Sequence, residues 1–264
     1  MTLKLRTAAV SDQGLVRSSN QDSVHAGEWL VAVADGMGGM AAGDLASAIT
    51  IEAVSGLDVP TPDDALVVAL QGAIEVASGR IREAVEEDPN RQGMGTTLTA
   101  LLLSEPGTCL AVAHVGDSRA YLFRDGTFAQ VTRDDTFVQM LVDEGVITAE
   151  EASSHPRRAV VTQALQGETV RAAYLTVDPQ PGDRWLVCSD GLTNVVRADT
   201  LAEVVSGYAD REDCAHRLVD LALRAGGPDN ITVVVADVVD GTPEGGVPAE
   251  GGVPAGTPTL GGQA

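Results

Sequence analysis

Aspartate recurs beside glycine or asparagine at the edges of apolar runs along most of this chain. The segments are Asn20-Gln21-Asp22, Asp35-Gly36-Met37-Gly38-Gly39, Gly116-Asp117-Ser118-Arg119, Ser189-Asp190-Gly191 and Asp229-Asn230. A single Asp-Gly is ordinary turn chemistry, and Asp125-Gly126, which follows Phe123-Arg124, reads as no more than that. Asp35-Gly36 differs because Trp29-Leu30-Val31-Ala32-Val33-Ala34 runs straight into it. A carboxylate at the end of a buried strand is costly without a counter-charge. A cation supplies one, and the glycine lets a backbone carbonyl approach the same ion. Asp190-Gly191 after Leu186-Val187-Cys188 repeats the arrangement, and Asp229-Asn230 sets another carboxylate ahead of Ile231-Thr232-Val233-Val234. Mg2+ and Mn2+ prefer oxygen ligands and keep several waters. The pattern points to a metal-dependent hydrolase whose distant carboxylates are gathered by a rigid sheet.

Other chemistries can be tested against the spacing. Arg17 lies in a polar stretch upstream of Asn20-Gln21-Asp22; as an ordinary residue it is a surface arginine, but beside a cation site its planar guanidinium suits a phosphate clamp. A thiol phosphatase needs an arginine six positions after its cysteine. Here Cys109 is followed at that distance by Val115, Cys188 by Asn194 and Cys214 by Asp220. Neither a Gly-x-x-x-x-Gly-Lys-Ser/Thr phosphate loop nor a Gly-x-Ser-x-Gly elbow is present. His25, His114, His155 and His216 lack metal-ligand spacing and read as structural.

The elements that must position these residues are legible in outline. Trp29–Ala34 reads as a buried strand and 41–54 as an Ala-rich helix on a sheet. Thr61-Pro62-Asp63-Asp64 offers an N-cap, a first-turn proline and dipole-matched acids for a helix reaching about Glu87. Strands follow at Thr96–Leu103, Thr108–Val115 and Ala120–Arg124, separated by turn residues. Short charged helical pieces at Phe137–Glu144 and Thr148–Ala152 mark an insertion. Trp185–Cys188 is a strand, Asp210 caps a helix ending near Gly226-Gly227, and Ile231–Val239 is the last strand. Strands in hairpin-like blocks with grouped helices favour antiparallel sheets covered by helices, an α+β arrangement. From Gly241 the composition collapses to Gly, Pro, Ala and Thr, and 240–264 reads as a disordered tail.

With 264 residues, 44% of them hydrophobic, the chain can bury a substantial core. A formal net charge of −21 argues against nucleic acid and against anionic membrane surfaces as partners. Three widely spaced cysteines suit a reducing compartment. The N-terminus lacks the apolar stretch of a secretory signal. No apolar run approaches the roughly 18 residues that span a bilayer, so a cytoplasmic protein is expected.

The ordered series Arg17…Asn20-Gln21-Asp22, Asp35-Gly36-Met37-Gly38-Gly39, Gly95-Thr96-Thr97, Gly116-Asp117-Ser118-Arg119-Ala120-Tyr121, Thr132-Arg133-Asp134, Cys188-Ser189-Asp190-Gly191-Leu192 and Asp229-Asn230-Ile231-Thr232 resembles the PPM (PP2C-type) serine/threonine protein phosphatases, most of all their bacterial branch. The resemblance covers about Leu3 to Val239. It implies a four-layer α-β-β-α sandwich: two antiparallel sheets flanked by helix pairs, with a flap insertion around Asp134–Arg158 near the metal site. Residues 1–239 would form the phosphatase domain. Two Mn2+ or Mg2+ ions would bind tightly, Asp35 bridging them, Gly36 offering its carbonyl, and Asp190 and Asp229 completing the protein ligands. Asp117 with Asp190 would hold a weaker third ion. Arg17 would bind the phosphate and Asp22 would organise metal-bound water.

The implied activity is hydrolysis of phosphoserine and phosphothreonine on proteins by a metal-bridging hydroxide, opposing bacterial Ser/Thr kinases. The implied partners are phosphorylated proteins, those kinases among them, and the protein would act as a monomer. Two departures stand out. Gln21 replaces a frequent glutamate, and Met37 replaces the histidine that eukaryotic members carry as a proposed general acid, so the leaving-group proton must come from metal-bound water or elsewhere. A pseudo-phosphatase is the rival reading, opposed by the intact carboxylates. A calcium module is opposed by the lack of an Asp-x-Asp-x-Asp-Gly loop.

Overall fold

The computed structural model describes residues 2–38 and 42–241. The expected tail, together with Gly39, Met40 and Ala41, lies outside the described residues apart from Asp240 and Gly241. The chain begins with strands β1 (Leu3–Asp12), β2 (Asp22–Ala26) and β3 (Leu30–Met37), then helices α1 (Gly43–Ser55) and α2 (Leu66–Glu87). Strands β4 (Gly95–Thr96), β5 (Leu98–Leu103), β6 (Leu110–Val115), β7 (Arg119–Arg124) and β8 (Thr127–Gln130) follow. Short helices α3 (Phe137–Asp143) and α4 (Ala149–Ser153) precede β9 (Ala173–Val177) and β10 (Arg184–Cys188). The chain then forms α5 (Asp190–Thr193), α6 (Ala198–Gly207), α7 (Arg211–Arg224) and β11 (Ile231–Asp240).

One sheet has the order β1-β11-β10-β7-β8 and the other β2-β3-β5-β6-β9, with β4 paired to β3. Every pairing is antiparallel. Apolar runs without polar alternation mark strands buried on both faces. In β3, Val31 and Val33 point between the sheets beside Leu101, Val112, Trp185 and Val187. Leu30 and Ala32, on the opposite face, pack under α1 and α2 with Ala46, Leu70 and Ile74. In β11, Val234, Ala236 and Val238 join the inter-sheet core. Ile231, Val233 and Val235 face α6 and α7 with Leu201, Cys214 and Leu218. The expected four-layer α-β-β-α sandwich is what the chain forms.

Local chemistry sets the boundaries. Asp210 caps α7, accepting from the backbone N–H groups of Glu212 and Asp213. Asp125 and Gly126 both take positive φ (51° and 76°), the twist-matched hairpin turn between β7 and β8. One expected cap is corrected. The Thr61 hydroxyl bonds the Val59 carbonyl, a 3-10 turn at Asp63–Ala65 intervenes, and α2 begins at Leu66 without a side-chain cap. The expected single strand Thr96–Leu103 is also interrupted at Thr97, where β4 gives way to β5. The flap is rooted beside the β6–β7 turn: Gly116 N–H donates to Asp135 Oδ2 at 3.0 Å, and Thr162 N–H donates to the Asp135 carbonyl at 2.7 Å.

Candidate metal centre

Each carboxylate in question stands where a strand begins or ends. Asp22 opens β2 and pairs in register with Asp35 near the end of β3. Asp190 starts α5 immediately after β10, and Asp229 precedes β11. Asp117 occupies the turn joining β6 in one sheet to β7 in the other. The two sheets thus deliver these groups to one end of the sandwich. Close backbone packing is built into the glycines beside them. A Cβ on Gly191 would lie 1.9 Å from the Asn230 carbonyl oxygen, and one on Gly36 would lie 2.2 Å from that of Gly43. Gly36 therefore admits the start of α1, a close approach beyond the carbonyl role expected of it.

Burial and mutual repulsion act together on the cluster. Burial raises the Asp35 carboxyl well above its ordinary range, and the charges of Asp22, Asp190, Asp117 and Asp229 push the same way. Asp22 rises to about 6 by burial, although hydrogen bonds from Thr232 and Ser189 oppose the shift. Asp117 rises to about 8, again by burial first and by the charge of Asp190 next. Asp190 is raised by burial and by Asp229, while hydrogen bonds with Asp35 and Asn194 oppose the shift. Two positive charges oppose these shifts: Arg119 acts on Asp117, and Arg17 acts on Asp190 while its Nη2 donates to Asp229 Oδ2 at 2.7 Å. The Arg17 side chain is 52% exposed, and Nε and Nη1 make no hydrogen bond among the described residues. Asp22 Oδ2 accepts from Ser189 Oγ at 2.8 Å, but its Oδ1 is buried without a partner.

Among the described residues, no three His, Cys, Asp or Glu side chains close around one point as a ready-made cation site. Asp190 and Asp35 share a hydrogen bond, and Asp229 turns to Arg17. The donor chemistry is nevertheless one-sided. Carboxylates dominate, thiols and imidazoles are missing from the cluster, and one buried oxygen is orphaned, which suits a hard divalent cation that completes its shell with water. Two surface concavities of about 760 and 780 Å3 lie elsewhere, beside Lys4 and Gly241 and along α2, and neither includes a cluster residue.

Asn230 had no assigned part, and the structure gives it one. Its Nδ2 donates to the carbonyls of Gln13 and Ser19, both at 2.9 Å, and its Oδ1 accepts from Gln21 N–H at 2.9 Å. It thereby clamps the loop carrying Arg17 onto the start of β11. Its place beside Asp229 was the available signal, but amide contacts to remote carbonyls are not visible in sequence. Arg119 and Asp134, singled out only as motif members, form a bidentate pair at 2.9 and 2.6 Å, and the charges of both reach Asp117. The four histidines make their contacts outside the cluster: His25 with Asp58, His114 with Thr99, His155 against Phe137 and His216 near Glu212.

Comparison with known proteins places this geometry. A family model described as Protein phosphatase 2C matches residues 16–223. The serine/threonine protein phosphatase PstP of Mycobacterium tuberculosis is 52% identical over 240 residues, which are 91% of this chain and 46% of that protein. Protein phosphatase PhpP of Streptococcus pneumoniae is 32% identical over 243 residues, 89% of this chain and 98% of that one. The crystal structure of the PstP catalytic domain in complex with two manganese ions aligns with a TM-score of 0.85 at 50% identity, covering 90% of this chain and all of that one. This chain belongs to the protein phosphatase 2C family. It spans about half the length of the curated PstP relatives it matches.

Proposed function

We propose that the chain is a metal-dependent phosphatase acting on phosphoserine and phosphothreonine in proteins. The observation that carries this reading is a group of carboxylates at one end of the sandwich, Asp117 buried and Asp22, Asp35 and Asp190 half-buried, with the half-exposed Arg17 beside them. Asp35, the Gly36 carbonyl, Asp190 and Asp229 would hold two Mn2+ or Mg2+ ions, and Asp117 with Asp190 a weaker third. When bound, paired divalent ions supply Lewis acidity and make water acidic enough to act as a nucleophile near neutral pH.

The chain's own residues orient and neutralise. Arg17 presents two unengaged guanidinium nitrogens to solvent and binds non-bridging phosphate oxygens through them, where charge stabilisation contributes most to phosphoryl transfer. Asn230 keeps that arginine's loop against β11. Asp22, fixed through one oxygen by Ser189, uses the other to orient water. Neither Cys188 nor Cys214 takes part: burial raises the first thiol to about 12 and the second to about 11, so neither offers a thiolate at neutral pH.

Residues 1–239 act as the phosphatase domain. Phosphorylated proteins, Ser/Thr kinases among them, are its partners. The protein works as a monomer in the cytoplasm, in keeping with described residues in which no helix is long and apolar enough to cross a membrane. The test is phosphate release from phosphothreonine and phosphotyrosine versions of one peptide with Mn2+ present. The phosphothreonine peptide should turn over much faster. Equal rates would reject the substrate class, and no release from either would favour the pseudo-phosphatase.

A further inference from the structure

The motif residues Gly95-Thr96-Thr97 and Ser118 have no place in the chemistry described so far, yet they are buried beside it. Thr96, Thr97, Thr99 and Ser118 are at most 1% exposed. The backbone of Asp35 is held from both sides by this group. Asp35 N–H donates to Thr97 Oγ1 at 3.0 Å. The Asp35 carbonyl accepts from Thr97 N–H and from the Thr96 hydroxyl, each at 2.9 Å.

The same threonine reaches the other carboxylate's turn. Thr97 Oγ1 and Ser118 Oγ are 2.7 Å apart, and Ser118 follows Asp117 directly. A Cβ on Gly116 would come within 2.6 Å of the Thr97 methyl, so that side chain also packs against the residue preceding Asp117. The turn is secured from its far side as well, because the Thr99 hydroxyl donates to the Ser118 carbonyl at 2.8 Å. Asp35 and Asp117 sit on separate elements, one near a strand end within a sheet and the other on a crossover between sheets. One hydroxyl pair spans the gap.

We infer that Thr97 and Ser118 are positioning residues that place the Asp35 backbone and the Asp117 turn as one unit, so that the most weakly held divalent ion depends on both hydroxyls. The inference rests on the reading of the carboxylate cluster as a metal centre. A buried hydroxyl whose partner is deleted is left unsatisfied, and the loss falls on the geometry it was holding. Thr97→Val keeps shape and methyl packing while removing the hydroxyl, Ser118→Ala removes the partner, and Thr97→Ser keeps the hydroxyl while removing the methyl.

The test is calorimetric titration of Mn2+ into the metal-stripped full chain, with a thermal unfolding midpoint recorded for each variant. Ser118→Ala should weaken the loosest Mn2+ class by about tenfold, as expected for one buried hydrogen bond, and Thr97→Val by at least as much, because it also removes the acceptor of the Asp35 N–H. The double variant should bind no worse than the weaker single one, because the two residues act through a shared bond. Thr97→Ser should bind like the wild type. Variants whose isotherms overlay the wild type while their midpoints fall would show that the hydroxyls support only the fold, overturning the inference. Fully additive losses would overturn it too, by separating the two residues. A wild-type chain that binds no Mn2+ would instead remove the metal centre, and this inference with it.

Discussion

Two Arg–Asp pairs in this molecule obey the same Coulomb law and do opposite things. Arg119 grips both oxygens of Asp134, its third nitrogen meets the Tyr121 hydroxyl at 3.2 Å, and Gln130 adds a contact to Asp134 at 3.0 Å. Asp134 is only 7% exposed, and the pair is geometrically complete. Arg17 touches Asp229 through a single nitrogen, is half exposed, and faces a group of carboxylates it cannot balance alone. The first pair is closed and holds the flap's root to β7. The second is open and has capacity for another ligand. Removing an arginine of the first kind leaves a buried carboxylate uncompensated, whereas an arginine of the second kind keeps donors free for a ligand.

The comparison can be broken most severely at Asp35. Asp35→Asn should lower turnover by about a thousandfold or more, since the charge at the centre of the site is lost. In the metal-stripped state the same variant should unfold at a higher temperature than the wild type, because a buried like charge has gone. Steady-state kinetics and calorimetry on one preparation check both halves. A stable variant with normal kinetics would mean that the centre lies elsewhere.

Arg119→Ala should act in the reverse sense, costing about 3 kcal/mol of stability by leaving Asp134 buried and unpaired. Denaturant unfolding measures it, and kcat per folded molecule should change far less than in Asp35→Asn. Arg17→Ala should move stability by less than about 1 kcal/mol, as for other exposed pairs. Its kcat/KM should fall by about tenfold to a hundredfold through lost phosphate stabilisation.

The smallest effect sharpens the contrast through pH. In metal-stripped protein, Asp22 at about 6 and Asp117 at about 8 lie above the unfolded aspartate value, and Asp35 and Asp190 are raised as well. The folded state therefore holds the extra protons. Their stabilisation is fully present below about pH 4 and is lost as pH rises through the folded values, so the urea midpoint should drift down between about pH 4 and 8. Asp35→Asn should flatten that drift, and a midpoint that rises with pH over this window would reverse the electrostatic account.

Much of this is legible in the sequence. β3 and β10 stand out because both faces are buried and the apolar run stops at Asp-Gly. β1 is weakly marked because the Leu3-Lys4-Leu5-Arg6 alternation stops at Thr7, too short a run to define a ten-residue edge strand whose partner, β11, lies far along the chain. β2 was hidden by its brevity, and α6 by the absence of a side-chain cap on Arg197. The site was legible as residue types but not as contacts. Arg17 reaching Asp229, Ser189 fixing Asp22, and Asn230 holding the Arg17 loop all join residues about 170 or more positions apart. Such contacts depend on the sheet register, which no local pattern encodes.

The central claim is that the open pair and its carboxylates form a metal-dependent catalytic centre. The direct test is Mn2+ titration into exhaustively metal-stripped protein, following phosphate release from a phosphothreonine peptide and the unfolding midpoint together. Both should rise from the stripped baseline over the same Mn2+ range, and both should return to it with excess chelator. Full turnover in the stripped protein, insensitive to added Mn2+ and to chelator, would contradict the account.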